Sequence, residues 1–305
     1  MTQDTYQGKK MLIALAHPDD ESFGMGGTIA HYSNLGVEIH LMCATRGEAG
    51  SVAAELLKDG MTIPELREGE LRCAAEILGI THLEFMGYRD SGMAGSPDNE
   101  NPASLVAAPL EAVTEMVVRT IRAFKPDVVV TFDPVGGYHH PDHIKIQRAT
   151  VAAFAAAGDP EKFANAGLPF QAGQLYFGVF PRRLFRTTVK VFDRLNRNRA
   201  AQQIARLFGK KVPNPRHFGR NQDIDLVMLA GDEDYPEHVL VDYGEVRDLK
   251  DRADACHASQ LDFGRQGGSR LMRLFARLQR RRDRYMRAYP ETSANFRAKD
   301  LFLNS

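Results

Sequence analysis

Short apolar runs alternate with amphipathic segments along most of the chain. Each apolar run is followed by turn-forming residues, which is typical of buried strands. The predicted strands span 11–16, 37–44, 82–86, 128–132, 175–179 and 238–241. A helical spacing of apolar residues between them predicts helices over 21–34, 64–78, 105–124, 142–156, 245–260 and 269–286. This alternation predicts an α/β fold that is Rossmann-like, with a mainly parallel sheet and helices on both faces.

The length and composition of the chain fit one folded unit with a full core. It has 305 residues, of which 43% are hydrophobic. We expect a single domain over 1–305, with a basic insertion near 181–220 and a C-terminal helical segment over 245–305. The basic segment is interpreted as a solvated helix, while an oligomer contact, a lid and a patch for anionic ligands stay open as alternatives.

The charge balance gives no sign of a nucleic-acid or membrane partner. Basic and acidic residues both number 39, so the net charge is zero and no global field attracts polyanions. The apolar run Met11–Ala16 is too short to span a membrane or to form a signal segment. Cys43, Cys73 and Cys256 form no CxxC pair, which favours reduced thiols and a cytoplasmic location. A homo-oligomer is left open.

Polar clusters follow four of the predicted strands at the point where each strand ends. They occupy residues 17–21, 45–48, 88–92 and 133–143. Open α/β sheets bind ligands outside the carboxyl ends of their strands, where the strand order reverses. In the common order this point lies between the first and fourth strands. We therefore expect the two histidine-containing clusters to face each other.

Those two clusters contain the residue types of a catalytic metal centre. A helix that begins near Asp20 would place the side chains of His17 and Asp20 together, whereas Asp19 would point elsewhere. His140 and His143 are spaced i, i+3 on the first turn of another helix, so both can face the same crevice. Two histidines and one aspartate with an open position are typical of catalytic zinc, which activates water and polarises a carbonyl. A carboxylate outside the coordination shell, such as Asp19, can act as the base for amide hydrolysis.

Three less specific interpretations compete with the metal centre. The sequence His-Pro-Asp-Asp after a strand is often only a capped helix start. Gly24–Gly27 has part of a dinucleotide-binding pattern, but Ile29 replaces the third glycine and the second strand lacks the acidic ribose partner, so a nicotinamide oxidoreductase is a weak rival. A non-catalytic protein that binds ligands through its basic segment is the third alternative.

The two clusters also carry a family resemblance. His-Pro-Asp-Asp-Glu-Ser at 17–22 together with His-Pro-Asp-His at 140–143 resembles the LmbE/PIG-L zinc-dependent deacetylase family. Arg46-Gly47-Glu48 and the segment 88–95 are similar to its branch of mycothiol pathway deacetylases and mycothiol S-conjugate amidases. The residues Lys250, His257, Ser259 and Gln260 resemble a late motif of the family, in which the role of His257 is left open.

The resemblance implies a role for individual residues. His17, Asp20 and His143 would bind one zinc ion per chain, with Fe²⁺ as an alternative, and Asp19 would be the general base. The resemblance further implies that His140 stabilises the charged intermediate, that Tyr138 contacts the carbonyl oxygen or the leaving group, and that Asp142 orients a histidine. The residues implied to contact the substrate are Arg46, Glu48, Asp90 and Ser22.

The implied reaction is de-N-acetylation of an N-acetylglucosamine-type amino-sugar conjugate. Cleavage like that of a mycothiol S-conjugate amidase is the alternative. The amidase branch tends to have a lysine at the position of Gly24, where glycine offers no charge.

Overall fold

The computed structural model describes residues 6–58, 60–180, 182–207, 212, 214–216, 226–231, 233–261 and 281–302. A seven-stranded sheet of order β3-β2-β1-β4-β5-β7-β6 runs through the molecule. The strands are β1 (Lys10–Leu15), β2 (Glu38–Cys43), β3 (His82–Phe85), β4 (Val128–Phe132), β5 (Gln174–Gly178), β6 (Val239–Asp242) and β7 (Arg282–Tyr289). Strands β1 to β5 are parallel, and β7 pairs antiparallel with β5 and β6. The predicted α/β, mainly parallel architecture is confirmed.

Helices from the same part of the chain cover both faces of this sheet. The helices of the described residues are α1 (Asp20–Asn34), α2 (Ile63–Leu78), α3 (Leu110–Phe124), α4 (Gly136–His139), α5 (Pro141–Ala156), α6 (Arg182–Arg197), α7 (Arg199–Leu207), α8 (Leu226–Leu229) and α9 (Arg247–Cys256). Of these, α6, α7 and α8 lie within residues 180–235, which form a separate unit. Alternate residues of β1 enter different cores: Met11, Ile13 and Leu15 pack on one face, Leu12 and Ala14 on the other. The central strand is therefore buried on both faces, which explains its continuous apolar sequence.

The six predicted strands are confirmed, each within one residue at either end. The helix predicted over 105–124 begins only at Leu110, after Pro109. Most of the helix predicted over 269–286 lies outside the described residues, but its last part is wrong because Arg282–Tyr289 is a strand. A C-terminal segment that is helical over 245–305 is therefore wrong as well. The inward-facing residues of β7 include Asp283 and Arg287. The alternation of apolar and polar residues that predicts a strand is therefore absent from this part of the sequence.

Gly24–Gly27 lies inside α1 rather than in a phosphate-binding loop. A Cβ on Gly27 would lie 2.1 Å from Cδ1 of Tyr243. The glycine therefore allows α1 to approach the segment after β6 closely, which gives it a packing role.

Cys73 on α2 and Cys256 at the end of α9 form a disulfide with a Cα–Cα distance of 5.9 Å. The prediction that the cysteines are reduced is wrong for this pair. Only Cys43, which is buried, is a free thiol. The bond joins two helices on the same face of the sheet across 183 residues of sequence, a separation at which sequence spacing gives no warning of pairing.

Residues 180–235 form a separate compact unit, and the sheet belongs to the unit formed by 1–179 and 236–305. Within the smaller unit, Asp193 accepts contacts from Arg197 and Arg216, and Asp234 pairs with Arg186. Several of its basic residues thus have acidic partners. None of the helices in the described part of the chain is long and apolar enough to cross a bilayer.

Candidate active site

The two histidine-containing clusters meet at the carboxyl edge of the sheet. Strands β1 and β4 are hydrogen-bonded neighbours, so the residues that follow them emerge side by side. Helix α1 begins at Asp20 and helix α5 begins at Pro141. The predicted crevice between the first and fourth strands is confirmed.

The side chains of His17, Asp20 and His143 converge in this crevice. His17 Nδ1 lies 3.1 Å from His143 Nε2 and 3.5 Å from one carboxylate oxygen of Asp20. The other oxygen of Asp20 lies 3.3 Å from His143 Nε2. The polar atoms of all three side chains therefore face a common point.

Hydrogen bonds on the far sides of the two imidazoles fix their orientation. His143 Nδ1 donates to the carbonyl oxygen of Gly136 at 3.1 Å. His17 Nε2 lies 3.3 Å from Asp142 and 3.4 Å from Asp90. Protons on these outer nitrogens leave the lone pairs of His17 Nδ1 and His143 Nε2 pointing inward.

Asp142 is fully buried and is itself held in place. It accepts hydrogen bonds from the backbone N–H and the hydroxyl group of Ser91. With both oxygens engaged, Asp142 can fix the imidazole of His17, as expected for a residue that orients a histidine.

The electrostatics of the crevice favour a positive charge between these groups. Burial alone would lower the pKa of His17, but Asp90, Asp142 and Asp20 raise it well above its usual value. Burial would raise the pKa of Asp20, yet His143 and His17 hold it below its usual value. Burial lowers the pKa of His143 to about 4. Either a proton on His17 or a metal ion in its place can supply the positive charge.

Two further sets of ligand-type side chains share His17 with the first. Potential ligand atoms of His17, His140 and His143 lie within 4.8 Å of one another, as do those of His17, Asp90 and Asp142. His140 is the N-cap of α5, and its Nδ1 accepts the backbone N–H of Asp142 at 3.2 Å. The proton of a neutral His140 must therefore lie on Nε2, where it makes this nitrogen a donor rather than a ligand.

Asp19 has different partners from Asp20 and an unusual backbone. Its φ is 127°, in a region that non-glycine residues rarely adopt. Its backbone N–H donates to Glu21 at 3.0 Å, and its carboxylate pairs with Arg67 at 3.0 Å. Burial raises its pKa to about 7, although Arg67 opposes the shift. Asp19 can therefore both accept and release a proton near neutral pH.

Arg67 is a site residue that sequence reasoning missed, because it lies in the charged helix α2 and looks like a solvated residue. Its side chain is 4% exposed, and it donates to the carbonyl oxygens of Pro18 and Gly47. A Cβ on Gly47 would lie 2.0 Å from its guanidinium. The glycine of Arg46-Gly47-Glu48 thus leaves the space through which Arg67 reaches Asp19.

Glu21 and His257 form a second buried pair beside the site. Their side chains are 1% and 0% exposed, and Nε2 of His257 lies 2.7 Å from Glu21. The other oxygen of Glu21 accepts the N–H of Asp19. The late motif thus contributes a residue that supports the backbone of Asp19.

The remaining predicted residues differ in how far they are exposed to a ligand. Tyr138 is 40% exposed, and its hydroxyl lies 3.5 Å from His143 Nε2. Arg46 is exposed and faces Glu48 at 3.6 Å. Asp90 is buried and accepts the N–H of Gly92. The hydroxyl of Ser22 is buried and donates to Glu21 at 2.6 Å.

The chain is similar in sequence to known deacetylases. Residues 12–154 match the family model PIG-L, described as GlcNAc-PI de-N-acetylase. Two relatives, both named 1D-myo-inositol 2-acetamido-2-deoxy-α-D-glucopyranoside deacetylase, align over most of their length. The Geodermatophilus obscurus protein is 37% identical over 83% of each chain. The Rhodococcus jostii protein is 32% identical over 85% of this chain and 84% of its own.

A relative of the same name from Kineococcus radiotolerans is 40% identical over 60% of this chain, and the match spans 55% of its own length. Among solved structures, the N,N'-diacetylchitobiose deacetylase of Pyrococcus horikoshii has a TM-score of 0.58 at 20% identity and covers 92% of this chain and 83% of its own.

The 4-carboxy-2-hydroxymuconate hydratase of Pseudomonas putida has a TM-score of 0.57 at 18% identity and covers 94% of this chain and 99% of its own. Because a hydratase matches about as well as a deacetylase, these structures establish the fold alone. The family follows instead from the sequence relatives that exceed 30% identity over most of both chains: the protein belongs to the PIG-L family.

Proposed function

We propose that this protein is a metal-dependent N-deacetylase, with zinc as its metal, that removes the acetyl group from an N-acetylglucosamine-type amino-sugar conjugate. The observation that carries the proposal is the convergence of His17, Asp20 and His143, each with an inward-facing ligand atom. The activity named for the relatives of the chain supports the same reaction and the same substrate class.

The separations of these ligand atoms fit zinc. Tetrahedral zinc with ligands at about 2.0–2.1 Å has ligand atoms about 3.3 Å apart. His17 Nδ1 and His143 Nε2 are 3.1 Å apart, and the carboxylate of Asp20 lies 3.5 Å from the former through one oxygen and 3.3 Å from the latter through the other. The hydrogen bond that places a proton on His140 Nε2 favours this set over one that includes His140. Bound there, the metal would polarise the amide carbonyl and lower the pKa of an attacking water.

The proton transfers fall to Asp19. Its carboxylate takes a proton from the attacking water and returns it to the departing amine nitrogen. This double role requires a carboxylate pKa near the pH of the medium. Burial supplies such a pKa, about 7. The ion pair with Arg67 and the hydrogen bond from its own N–H to Glu21 hold the carboxylate in position.

Negative charge that develops on the carbonyl oxygen is stabilised by His140. The N-cap bond keeps His140 Nδ1 as an acceptor, so Nε2–H remains available as a donor. One such donor typically contributes about 3 kcal/mol to transition-state stabilisation. Tyr138 supplies a hydroxyl to the carbonyl oxygen or leaving group, and the exposed Arg46 contacts the sugar together with its neighbour Glu48.

The experiment that tests the proposal measures acetate release from a panel of N-acetylated amino sugars, with and without a chelator. The panel includes the 1D-myo-inositol 2-acetamido-2-deoxy-α-D-glucopyranoside named for the relatives, N-acetylglucosamine and N,N'-diacetylchitobiose. A mycothiol S-conjugate is assayed beside them for release of its sugar amine, because cleavage of that amide yields no acetate. We expect chelator-sensitive acetate release from the N-acetylglucosaminyl compounds. Cleavage of the S-conjugate alone would assign the chain to the amidase reaction, and no hydrolysis by the metal-loaded protein would contradict the proposal.

A further inference from the structure

A cavity of about 380 Å³ lies at the opposite edge of the sheet from the candidate active site. Its lining comes from the amino ends of strands: Asp127 precedes β4, Gln174 begins β5, and Lys9 precedes β1. Arg287, near the end of the antiparallel strand β7, completes this lining. The volume lies within the range of about 300–1,000 Å³ that is common for small-molecule sites. None of the residues that line it belongs to the candidate active site.

Arg287 is the unusual member of this lining. It is 4% exposed, yet its Nε has no hydrogen-bond partner. Within the described residues its guanidinium has no acidic partner, and its one aromatic contact is with Phe296 at 5.3 Å. A buried guanidinium without a counter-charge is costly and is rarely retained for stability alone.

The acidic side chain in the lining does not neutralise Arg287. Asp127 forms an ion pair with Lys9 at 2.8 Å and accepts the backbone N–H of Lys10 at 2.9 Å. Both of its oxygens are therefore engaged elsewhere. The lining has two cations and one carboxylate, which leaves one positive charge for an occupant.

The rest of the wall indicates what kind of anion fits. Phe170, Pro290 and Phe302 contribute apolar surface. Arginine binds carboxylates and phosphates through paired N–H donors. We propose that this cavity is a second ligand site, separate from the catalytic crevice, that binds a small organic oxyanion with an apolar body through Arg287.

The test uses benzoate as the probe, because it combines a carboxylate with a flat apolar ring. Its binding to the full-length, metal-loaded protein is measured by isothermal titration calorimetry. Replacing the guanidinium by an apolar group of similar volume, Arg287→Met, removes one charge-assisted interaction and is expected to weaken binding at least about tenfold. The control is Arg284→Met on the opposite face of the same strand, where Arg284 already pairs with Glu237. We expect this variant to bind benzoate like the wild type.

Thermal unfolding of the same proteins separates a ligand role from a structural role. If Arg287 is retained for a ligand, Arg287→Met keeps or raises the melting temperature without benzoate and loses the increase that benzoate gives the wild type. Should that variant fail to fold, Lys9→Gln provides the test. It frees the carboxylate of Asp127 to repel the anion and is expected to weaken binding.

A further variant, His143→Ala, distinguishes this cavity from the metal centre. Benzoate binding that survives His143→Ala and is lost in Arg287→Met supports the proposal. Binding that is lost in His143→Ala and survives Arg287→Met places benzoate at the metal centre. If the wild-type protein does not bind benzoate, the cavity is not an anion site of this kind. Either result overturns the proposal without bearing on the deacetylase activity.

Discussion

Replacing His257 by alanine tests how the buried pair with Glu21 supports the site. The two side chains are at most 1% exposed and their polar atoms are 2.7 Å apart. Removal of one member of a buried ion pair leaves an uncompensated charge and costs about 3–5 kcal/mol. Because Glu21 also accepts the N–H of Asp19, this proposed general base should lose its alignment. A misplacement of this kind lowers kcat by about 10- to 100-fold.

The chain offers a matched control for this variant. His82 and Glu38 form a pair with nearly the same N–O distance, 2.8 Å, but their side chains are 50% and 36% exposed. Exposed pairs contribute at most about 1 kcal/mol, so His82→Ala should change stability little and activity not at all. The difference between the two variants therefore isolates the effect of burial.

The pH dependence follows from the two pKa shifts. Burial disfavours the charged form of both residues, but the attraction between His257 and Glu21 outweighs the effect of burial. The pKa of His257 is therefore raised above 6.5, and that of Glu21 is lowered below 4.5. The contribution of His257 is complete below 6.5 and is lost as pH rises through its folded pKa. The contribution of Glu21 is complete above 4.5 and is lost as pH falls through its folded pKa. The pair therefore stabilises the fold most between pH 4.5 and 6.5.

The assay is urea unfolding of wild type, His257→Ala and His82→Ala across this range and at higher pH, with kcat measured on the same samples. We expect the stability gap for His257→Ala to be widest between the two values and to narrow at higher pH. A gap below about 1 kcal/mol, or a gap that does not change with pH, would refute the argument from burial. A large stability loss with unchanged kcat would restrict the pair to a structural role.

Three further predictions address other parts of the chain. Asp19→Asn should retain the metal and lose kcat by at least about 10²-fold, measured by metal content and turnover on one preparation. Cys73→Ser should lower the free energy of unfolding by about 2–5 kcal/mol in oxidising buffer, as judged by urea midpoints, and by little in reducing buffer. Burial raises the pKa of Asp283 to about 6, so unfolding curves should show wild type losing stability relative to Asp283→Asn as pH rises from 4 to 6.

The sequence predicted the parts of the site that depend on strand order. His17 and His143 are 126 residues apart, but each directly follows a buried parallel strand. Because the carboxyl ends of neighbouring parallel strands meet at one edge, their proximity could be inferred without a structure. A helix that begins at Asp20 then brings its side chain next to that of His17, and this helix start could also be predicted from the sequence.

The parts that were missed depend on side chains that reach across the molecule. Arg67 has the sequence context of a solvated helix residue, and only the space beside Gly47 shows where it points. Glu21 and His257 are separated by 236 residues, with no strand pattern to bring them together. Strand β7 was missed because its inward-facing positions include charged residues, which conceal a strand from any hydrophobic pattern.

The measurement that tests the central claim most directly is a titration of metal-depleted protein with Zn²⁺, monitored by acetate release from the 1D-myo-inositol 2-acetamido-2-deoxy-α-D-glucopyranoside named for its relatives. The account predicts that activity is absent without metal, rises in proportion to added Zn²⁺ and saturates near about one equivalent per chain. His143→Ala should give no comparable rise over the same range. Undiminished acetate release from metal-free wild type, or wild-type activity in His143→Ala at one equivalent of Zn²⁺, would contradict the account.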